Sequence, residues 1–209
     1  VKKVKLYYYG ERCSLGGRSR GEFSGVVNDG SVPNTGQVSW KVPWLDSTSF
    51  MLTATGYDAN SQKIAYAECK VRLLPREFAD LPDTCIAVSK RLQRLYYFED
   101  GVPKRMHIVS TAAPGYTTPK MKPGSYSRQR GEMGKVFSKA RNPFSKLYQV
   151  NMPYWLGITS SGSHGIHATS PNMYSRLGRP ASHGCIRQHR ADARVLYGLV
   201  KVGTPVYVF

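Results

Sequence analysis

One cysteine of this chain lies among histidines, and this is the sequence feature best suited to chemistry. Cys185 follows His183 and Gly184, and His167 precedes it by 18 positions. A thiol attacks a carbonyl well only as a thiolate or beside a base, and imidazole accepts a proton near neutral pH. The pattern therefore predicts acyl transfer by a cysteine, with Cys185 as the nucleophile.

The residues around the cysteine favour the same chemistry. Gly184 permits a tight turn in which consecutive backbone amides point in one direction, and such amides can bind the oxyanion of a tetrahedral intermediate. No Asp or Glu occurs between positions 133 and 191. A backbone carbonyl is therefore expected to orient the catalytic histidine, because a carbonyl also fixes the imidazole tautomer.

Residue types and spacing alone leave two other interpretations open. Cys185 could be a buried, unreactive thiol, which is a common role for cysteine. His164, His167, His183 and Cys185 could also supply four zinc ligands, although the long spacer and the single cysteine match structural zinc patterns poorly. We predict that the protein holds no metal and uses no cofactor.

The segment from Gly165 to Arg187 resembles the signature of the L,D-transpeptidases, the family with a YkuD-like catalytic domain. That signature places a histidine in a strand similar to G-I-H-x-T, followed after a spacer by S-H-G-C-x-R with an aliphatic residue at x. Here the two blocks read Gly165-Ile166-His167-Ala168-Thr169 and Ser182-His183-Gly184-Cys185-Ile186-Arg187. Weaker similarities extend over most of residues 85–209 and include Ile86–Ser89, Thr118-Pro119, Pro123–Tyr126, Met152–Trp155 and Gly203–Val208.

The resemblance implies a role for each matching position. Cys185 is the nucleophile and His167 the general base, which the backbone carbonyl of Ala168 orients. Backbone amides around His183, Gly184 and Cys185 bind the oxyanion. The candidate substrate-binding residues are Arg187, Ser182, His164, Tyr154 and Trp155, although the last two are more often core aromatic residues.

The reaction that the resemblance implies is peptidoglycan cross-linking through the peptide stems. Cys185 attacks the carbonyl after a diamino acid in a tetrapeptide stem, the terminal D-amino acid leaves, and an amine of a second stem resolves the thioester. Water as the acceptor would give an L,D-carboxypeptidase, and an amine of an envelope protein would give a protein anchor. The resemblance also implies an exported protein of the cell envelope, with its signal segment absent from this chain.

The positive charge of the chain lies in its second half. Residues 85–209 contain 19 Lys and Arg against four Asp and Glu, whereas residues 1–84 contain 11 against nine. Such an excess predicts an anionic partner, for which cell-wall polymers are a candidate. A non-catalytic module that binds cell wall by charge and a nucleic-acid-binding protein are competing hypotheses. No nucleic-acid motif accompanies the charge, and no apolar run could span a bilayer.

The strand pattern predicts a mainly β protein with two domains. Runs of β-formers at Lys5–Tyr9, Gln37–Trp40, Ser49–Ala54 and Ala65–Leu73 predict a small immunoglobulin-like β-sandwich over residues 1–82, which ends in a linker at 74–82. Among the cysteines of this half, the pair Cys13–Cys69 is the favoured disulfide.

Residues 83–209 are predicted to form a β-rich, YkuD-like catalytic domain with a short C-terminal helix. Strands are expected at Ile86–Ser89, Arg94–Phe98 and Arg105–Ser110, and a last strand at Pro205–Phe209. Apolar spacing places the helix at Asp192–Val200, before the stop signals Gly203 and Pro205. The polar and basic residues 127–147 predict a long loop.

Overall fold

The computed structural model describes residues 1–12, 15–29, 38–42 and 45–209, and these residues form a mainly β structure. They divide into two compact units, one formed by residues up to Leu74 and the other by residues from Pro75 to Phe209. The second unit also includes the short turn at residues 15–18. The division falls inside the predicted linker at 74–82.

The first unit contains one four-stranded antiparallel sheet in the order β2-β1-β3-β4. Its strands are β1 (Lys3–Glu11), β2 (Glu22–Asn28), β3 (Ser49–Tyr57) and β4 (Lys63–Arg72). Phe23, Leu45 and Phe50 form its buried cluster, against which Tyr8 and Trp40 pack. At the sheet edge, nine of the ten residues of β4 are exposed.

The immunoglobulin-like sandwich stays a prediction. A sandwich needs two packed sheets, and the described residues of this unit form one. Of the predicted strand Gln37–Trp40, residues 38–40 are not in a strand, and Gln37 lies outside the described residues. Cys13, half of the favoured disulfide, also lies outside them.

The second unit is built around a curled nine-stranded sheet in the order β15-β5-β6-β7-β14-β13-β12-β9-β8. Its strands are β5 (Cys85–Ser89), β6 (Arg94–Glu99), β7 (Val102–Ser110), β8 (Ser125–Ser127), β9 (Gly131–Ala140), β12 (Trp155–Thr159), β13 (Gly165–Ala168), β14 (Ile186–Gln188) and β15 (Val206–Val208). Two short strands, β10 (Phe144–Ser145) and β11 (Val150–Asn151), pair separately as a hairpin. Every residue of β5, β12 and β13 is buried, as is typical of strands covered on both faces.

Helix α1 (Arg190–Leu199) packs against one face of this sheet. Its Leu196 belongs to the same buried cluster as Ile166 of β13 and Ile186 of β14. The helix begins two residues before the predicted start because Nδ1 of His189 accepts a hydrogen bond from the amide of Ala191 at 3.2 Å, which caps its first turn. No helix in the described part of the chain is long and apolar enough to cross a membrane.

The prediction of a long loop over residues 127–147 is wrong. Residues 131–140 form β9, which pairs with β12 and β8 in the main sheet. Met133 and Val136 are buried on this strand, while the ammonium group of Lys139 donates to the carbonyls of Tyr197 and Val200 at the end of α1. A lysine that caps a helix looks like a surface residue in the sequence, so the strand pattern was hidden.

Candidate active site

The register between two parallel strands brings Cys185 and His167 to one face of the sheet. Ile166 of β13 pairs with Ile186 of β14, and His167 pairs with Arg187. Both isoleucines are fully buried in the cluster under α1. Because side chains alternate along a strand, His167, Cys185 and Arg187 share the opposite face, away from the helix.

His167 is held as a neutral imidazole with a defined tautomer. Its Nδ1 lies 2.8 Å from the carbonyl oxygen of Ala168, and a carbonyl only accepts, so Nδ1 carries the proton. Burial lowers the pKa of His167 to about 4, against a smaller opposing effect of this hydrogen bond, and the charge of Arg187 lowers it further. Nε2 is therefore left as an unprotonated acceptor at neutral pH.

The thiol of Cys185 is also neutral in this environment. Burial raises its pKa, while a hydrogen bond from the backbone of Gly165 and the charge of Arg187 oppose that rise. A neutral thiol and a neutral imidazole favour proton transfer during the attack rather than a preformed thiolate–imidazolium pair.

The turn before Cys185 is fixed by hydroxyl groups. Ser182 is fully buried, and its Oγ donates to the carbonyl of Cys185 at 2.5 Å and accepts from the amide of Gly184 at 3.1 Å. Thr118 Oγ1 donates to the carbonyl of Gly184 at 2.7 Å. Gly184 has φ +137°, and a Cβ there would lie 2.8 Å from Nε2 of His164. Only glycine suits both the backbone angle and the space.

These contacts define what the structure does with three predicted residues. The Ser182 side chain forms hydrogen bonds within the turn and is buried, so it does not reach the surface of the site. The amide of Gly184 is bonded to that hydroxyl. His164 lies behind the turn, with Nε2 3.1 Å from the carbonyl oxygen of Thr117 and Nδ1 3.0 Å from Ser163 Oγ.

The two neighbouring aromatic residues of the predicted site lie on opposite faces of the sheet. The indole of Trp155 lies 5.9 Å from the ring of His167 between centroids. It covers Gly165, where a Cβ would come within 2.4 Å of the indole. Tyr154 instead packs against Tyr197 of α1 at 5.8 Å. The structure therefore brings Trp155 to the candidate site and places Tyr154 on the helix side.

Two tyrosines that the sequence pattern did not indicate flank the turn before Cys185. The ring of His183 stacks on Tyr148 at 5.0 Å and contacts Tyr116 at 4.5 Å between centroids. Both tyrosines are about half exposed. They are distant in sequence from each other and from Cys185, so no local pattern indicated them.

The remaining polar group of the site is Arg187. Its Nη1 donates to the carbonyl of Ala181 at 3.3 Å, and burial lowers the pKa of its guanidinium. Within the described part of the chain, no three His, Cys, Asp or Glu side chains gather as a metal site would require. The arrangement is one of a thiol, a neutral imidazole and a nearby guanidinium cation.

Known proteins resemble this same part of the chain. Residues 83–208 match the YkuD family, described as the L,D-transpeptidase catalytic domain. The chain belongs to this family. The match covers the whole nine-stranded sheet with α1 and leaves the four-stranded sheet outside it.

Individual relatives agree with the family match. The putative L,D-transpeptidase YqjB of Bacillus subtilis is 28% identical over 138 residues, which are 60% of this chain and 71% of that protein. Solved L,D-transpeptidase structures from Stackebrandtia nassauensis and Mycobacterium tuberculosis are each 27% identical over 61% of this chain, with TM-scores of 0.50 and 0.51. The matched part spans 56% and 58% of those two structures.

Proposed function

We propose that this protein is a peptidoglycan L,D-transpeptidase in which Cys185 is the nucleophile and His167 the general base. The observation that supports the proposal is the β13–β14 register, which pairs His167 with Arg187, two residues after Cys185; by the alternation of side chains, the thiol and the imidazole share one sheet face. Membership of the L,D-transpeptidase family supports the reaction class.

Acylation begins with proton transfer to the imidazole. Nε2 of His167 takes the thiol proton as the sulfur of Cys185 bonds to the carbonyl carbon that follows the diamino acid of a tetrapeptide stem. The carbonyl of Ala168, at 2.8 Å from Nδ1, stabilises the imidazolium that forms. The C–N bond then breaks, and His167 returns the proton to the departing amine. The terminal D-amino acid leaves, and the rest of the stem stays bound to Cys185 as a thioester.

Backbone amides of the nucleophile turn stabilise the oxyanion in this step. Gly184 donates its amide to Ser182 Oγ, so we assign the oxyanion to the amides on either side of it, those of His183 and Cys185. The positive charge of Arg187 lowers the pKa of Cys185, against the effect of burial, and so stabilises the thiolate as the proton is lost.

Deacylation uses the same groups in reverse. An amine on a second stem attacks the thioester carbonyl while His167 accepts the amine proton. The C–S bond breaks, the proton returns to the sulfur, and a new amide joins the two stems. The net charge of +17 for the whole chain suits an anionic cell-wall polymer outside the cytoplasm.

Covalent labelling by a carbapenem tests the nucleophile. The β-lactam carbonyl should acylate Cys185 with ring opening, so the intact mass rises by the full mass of the drug. Cys185→Ala should abolish the adduct, while Cys69→Ala, which removes an exposed thiol, should label like the wild type. An adduct that survives Cys185→Ala would overturn the assignment.

The acceptor is tested by product analysis with purified stems. Incubation of tetrapeptide stems should give cross-linked dimers and free D-amino acid. Tripeptide with no dimer, formed through Cys185, would identify water as the acceptor and the protein as an L,D-carboxypeptidase. Transfer to an added envelope protein with accessible lysines, in place of dimers, would identify an anchoring enzyme.

A further inference from the structure

We propose that Arg176 and Arg179, together with Arg187, form a carboxylate-binding subsite beside Cys185. On the proposed function, this subsite takes the carboxylate of the terminal D-amino acid that leaves during acylation. The inference rests on that function for the identity of the ligand, whereas the anion preference of the subsite can be measured without it.

The segment that carries the two outer arginines is fixed to the end of β7. Arg176 ends a short 3-10 helix (Pro171–Arg176). Ser110 Oγ lies 2.6 Å from the carbonyl oxygen of Arg176 and 2.7 Å from that of Arg179. The amide of Gly178 donates to Val109 at 2.9 Å. Three backbone positions within four residues are thus held by the central sheet, which presets where both side chains start.

The same contacts place the arginines on the face that carries the nucleophile. Ser110 pairs with Arg187 across β7 and β14, and directly paired residues project to one face. Arg176 and Arg187 line a common small cleft. Burial lowers the pKa of Arg187, and the nearby charge of Arg176 lowers it further. A continuous row of cations therefore leads from Cys185 through Arg187 to Arg176.

A larger cavity opens at the outer end of this row. It has a volume of about 560 Å³, and Arg176, Arg179 and His183 contribute to its wall. His183 lies two residues before Cys185, so the cavity reaches the turn that carries the thiol. The volume is ample for one amino acid, since pockets of several hundred Å³ hold larger ligands.

No carboxylate in the described part of the chain pairs with these guanidinium groups. None of the ion pairs between described residues involves Arg176, Arg179 or Arg187. Arginine matches a carboxylate with two parallel hydrogen bonds. In a tetrapeptide stem, the terminal carboxylate belongs to the residue that follows the attacked carbonyl. On the leaving-group side, it is the carboxylate nearest to the sulfur.

Alkylation of Cys185 tests the subsite independently of any cell-wall substrate. Two reagents, iodoacetate and iodoacetamide, are compared. In each, the sulfur displaces iodide, which leaves with its electron pair, but only iodoacetate carries a carboxylate. The Cys185 rates are read by peptide mass spectrometry. The double variant Arg176→Gln, Arg179→Gln should lower the ratio of the iodoacetate rate to the iodoacetamide rate about tenfold. This is the low end of the rate enhancements that electrostatic focusing produces.

The control removes two positive charges elsewhere on the same strand. Lys104 and Arg105 are exposed on β7, roughly 17 Å or more from Ser110 along an extended strand. Lys104→Gln, Arg105→Gln should leave the ratio unchanged. An unaltered iodoacetamide rate in the test variant shows that the fold and the thiol are intact. The same ratio in both double variants would overturn the subsite.

A second measurement identifies the carboxylate. Wild type should prefer the free-acid tetrapeptide stem to its C-terminal amide by about ten- to a hundredfold in kcat/KM, the range for a hydrogen bond to a charged group. The arginine double variant should lose this preference. Equal use of acid and amide by the wild type would overturn the ligand assignment. If wild type turns over neither peptide, the proposed function fails, while the alkylation ratio still decides the subsite.

Discussion

The two sheets of this protein differ in how completely their strands are covered. In the nine-stranded sheet, β5, β12 and β13 are buried at every residue, whereas β4 of the four-stranded sheet is exposed at nine of ten. The candidate catalytic pair lies on the covered sheet. A thiol and a base need a fixed separation, and strands packed on both faces provide it better than an exposed edge.

The cysteines show the same contrast at the level of single side chains. Cys69 on β4 is exposed, and Cys85 on β5 is fully buried, where burial raises its pKa to about 12. Cys185 is between these extremes and has the imidazole of His167 on the neighbouring strand. Partial access combined with a base, rather than the presence of a thiol, distinguishes the candidate nucleophile.

The largest effect should follow from removing His167, the proposed general base on the covered sheet. His167→Asn should slow carbapenem acylation of Cys185 by about 10²- to 10⁴-fold, the usual contribution of general base catalysis. His189→Asn is the control, because asparagine also caps helices well. The rates are measured by intact-mass spectrometry. A rate for His167→Asn close to that of the control would contradict the role of His167.

Thiol labelling sharpens the comparison of the sheets directly. A neutral maleimide should modify Cys69 in the native protein and Cys85 only when its sheet opens, so Cys85 should react at least about a thousandfold more slowly. Peptide mapping over time measures both sites in one sample. Similar rates without denaturant would show that the nine-stranded sheet is no more closed than the other.

Core truncation compares the two sheets by stability. Leu156 is fully buried on β12, whereas Ile64 on β4 is 52% exposed. Leu156→Ala should lower the free energy of unfolding by about 2–5 kcal/mol, and Ile64→Ala by less than about 0.5 kcal/mol. Urea titration followed by circular dichroism gives both values. Equal losses would remove the distinction drawn between the sheets.

The buried histidine should also make stability depend on pH. The pKa of His167 falls from 6.5 to about 4 on folding, so between these values only the unfolded chain binds the proton. The free energy of unfolding should therefore decrease as pH falls from 6.5 to 4, by about 3 kcal/mol in total. Above pH 6.5 the imidazole is neutral in both the folded and the unfolded chain, so this loss of stability is absent.

His167→Asn tests that pH dependence. The variant should show a flatter decrease of unfolding free energy between pH 7 and 4.5 than the wild type, measured by urea titration at each pH. His107, whose pKa burial also lowers, is present in both proteins, so the difference isolates His167. Identical slopes would show that folding does not shift the pKa of His167.

Local pattern predicted much of the second unit. Apolar spacing located α1 within two residues of its start, and runs of β-formers located β5, β6 and β7. The loop predicted at 127–147 failed because β9 carries lysines whose stems pack while their amines bond elsewhere, as Lys139 does. Composition cannot distinguish such a strand from a basic loop.

Some features of the candidate site were likewise predictable from the sequence, and others were not. The types and spacing of His167, Gly184 and Cys185 predicted acyl transfer by a Cys–His pair, and the resemblance to the L,D-transpeptidases supplied the reaction class. Whether Tyr154 or Trp155 belongs to the site was not predictable, because neighbouring residues of a strand point to opposite faces. Only the pairing of β12 with β13 decided that Trp155 adjoins His167.

Residue type and local order were enough to indicate which groups could react, because a thiol, an imidazole and a glycine turn can be identified without the fold. The tertiary structure decided what surrounds them. It turned Ser182 inward, placed Tyr116 and Tyr148 against His183, and fixed Arg176 and Arg179 to the end of β7. These contacts join residues far apart along the chain, and strand pairing and burial, which no local pattern specifies, bring them together.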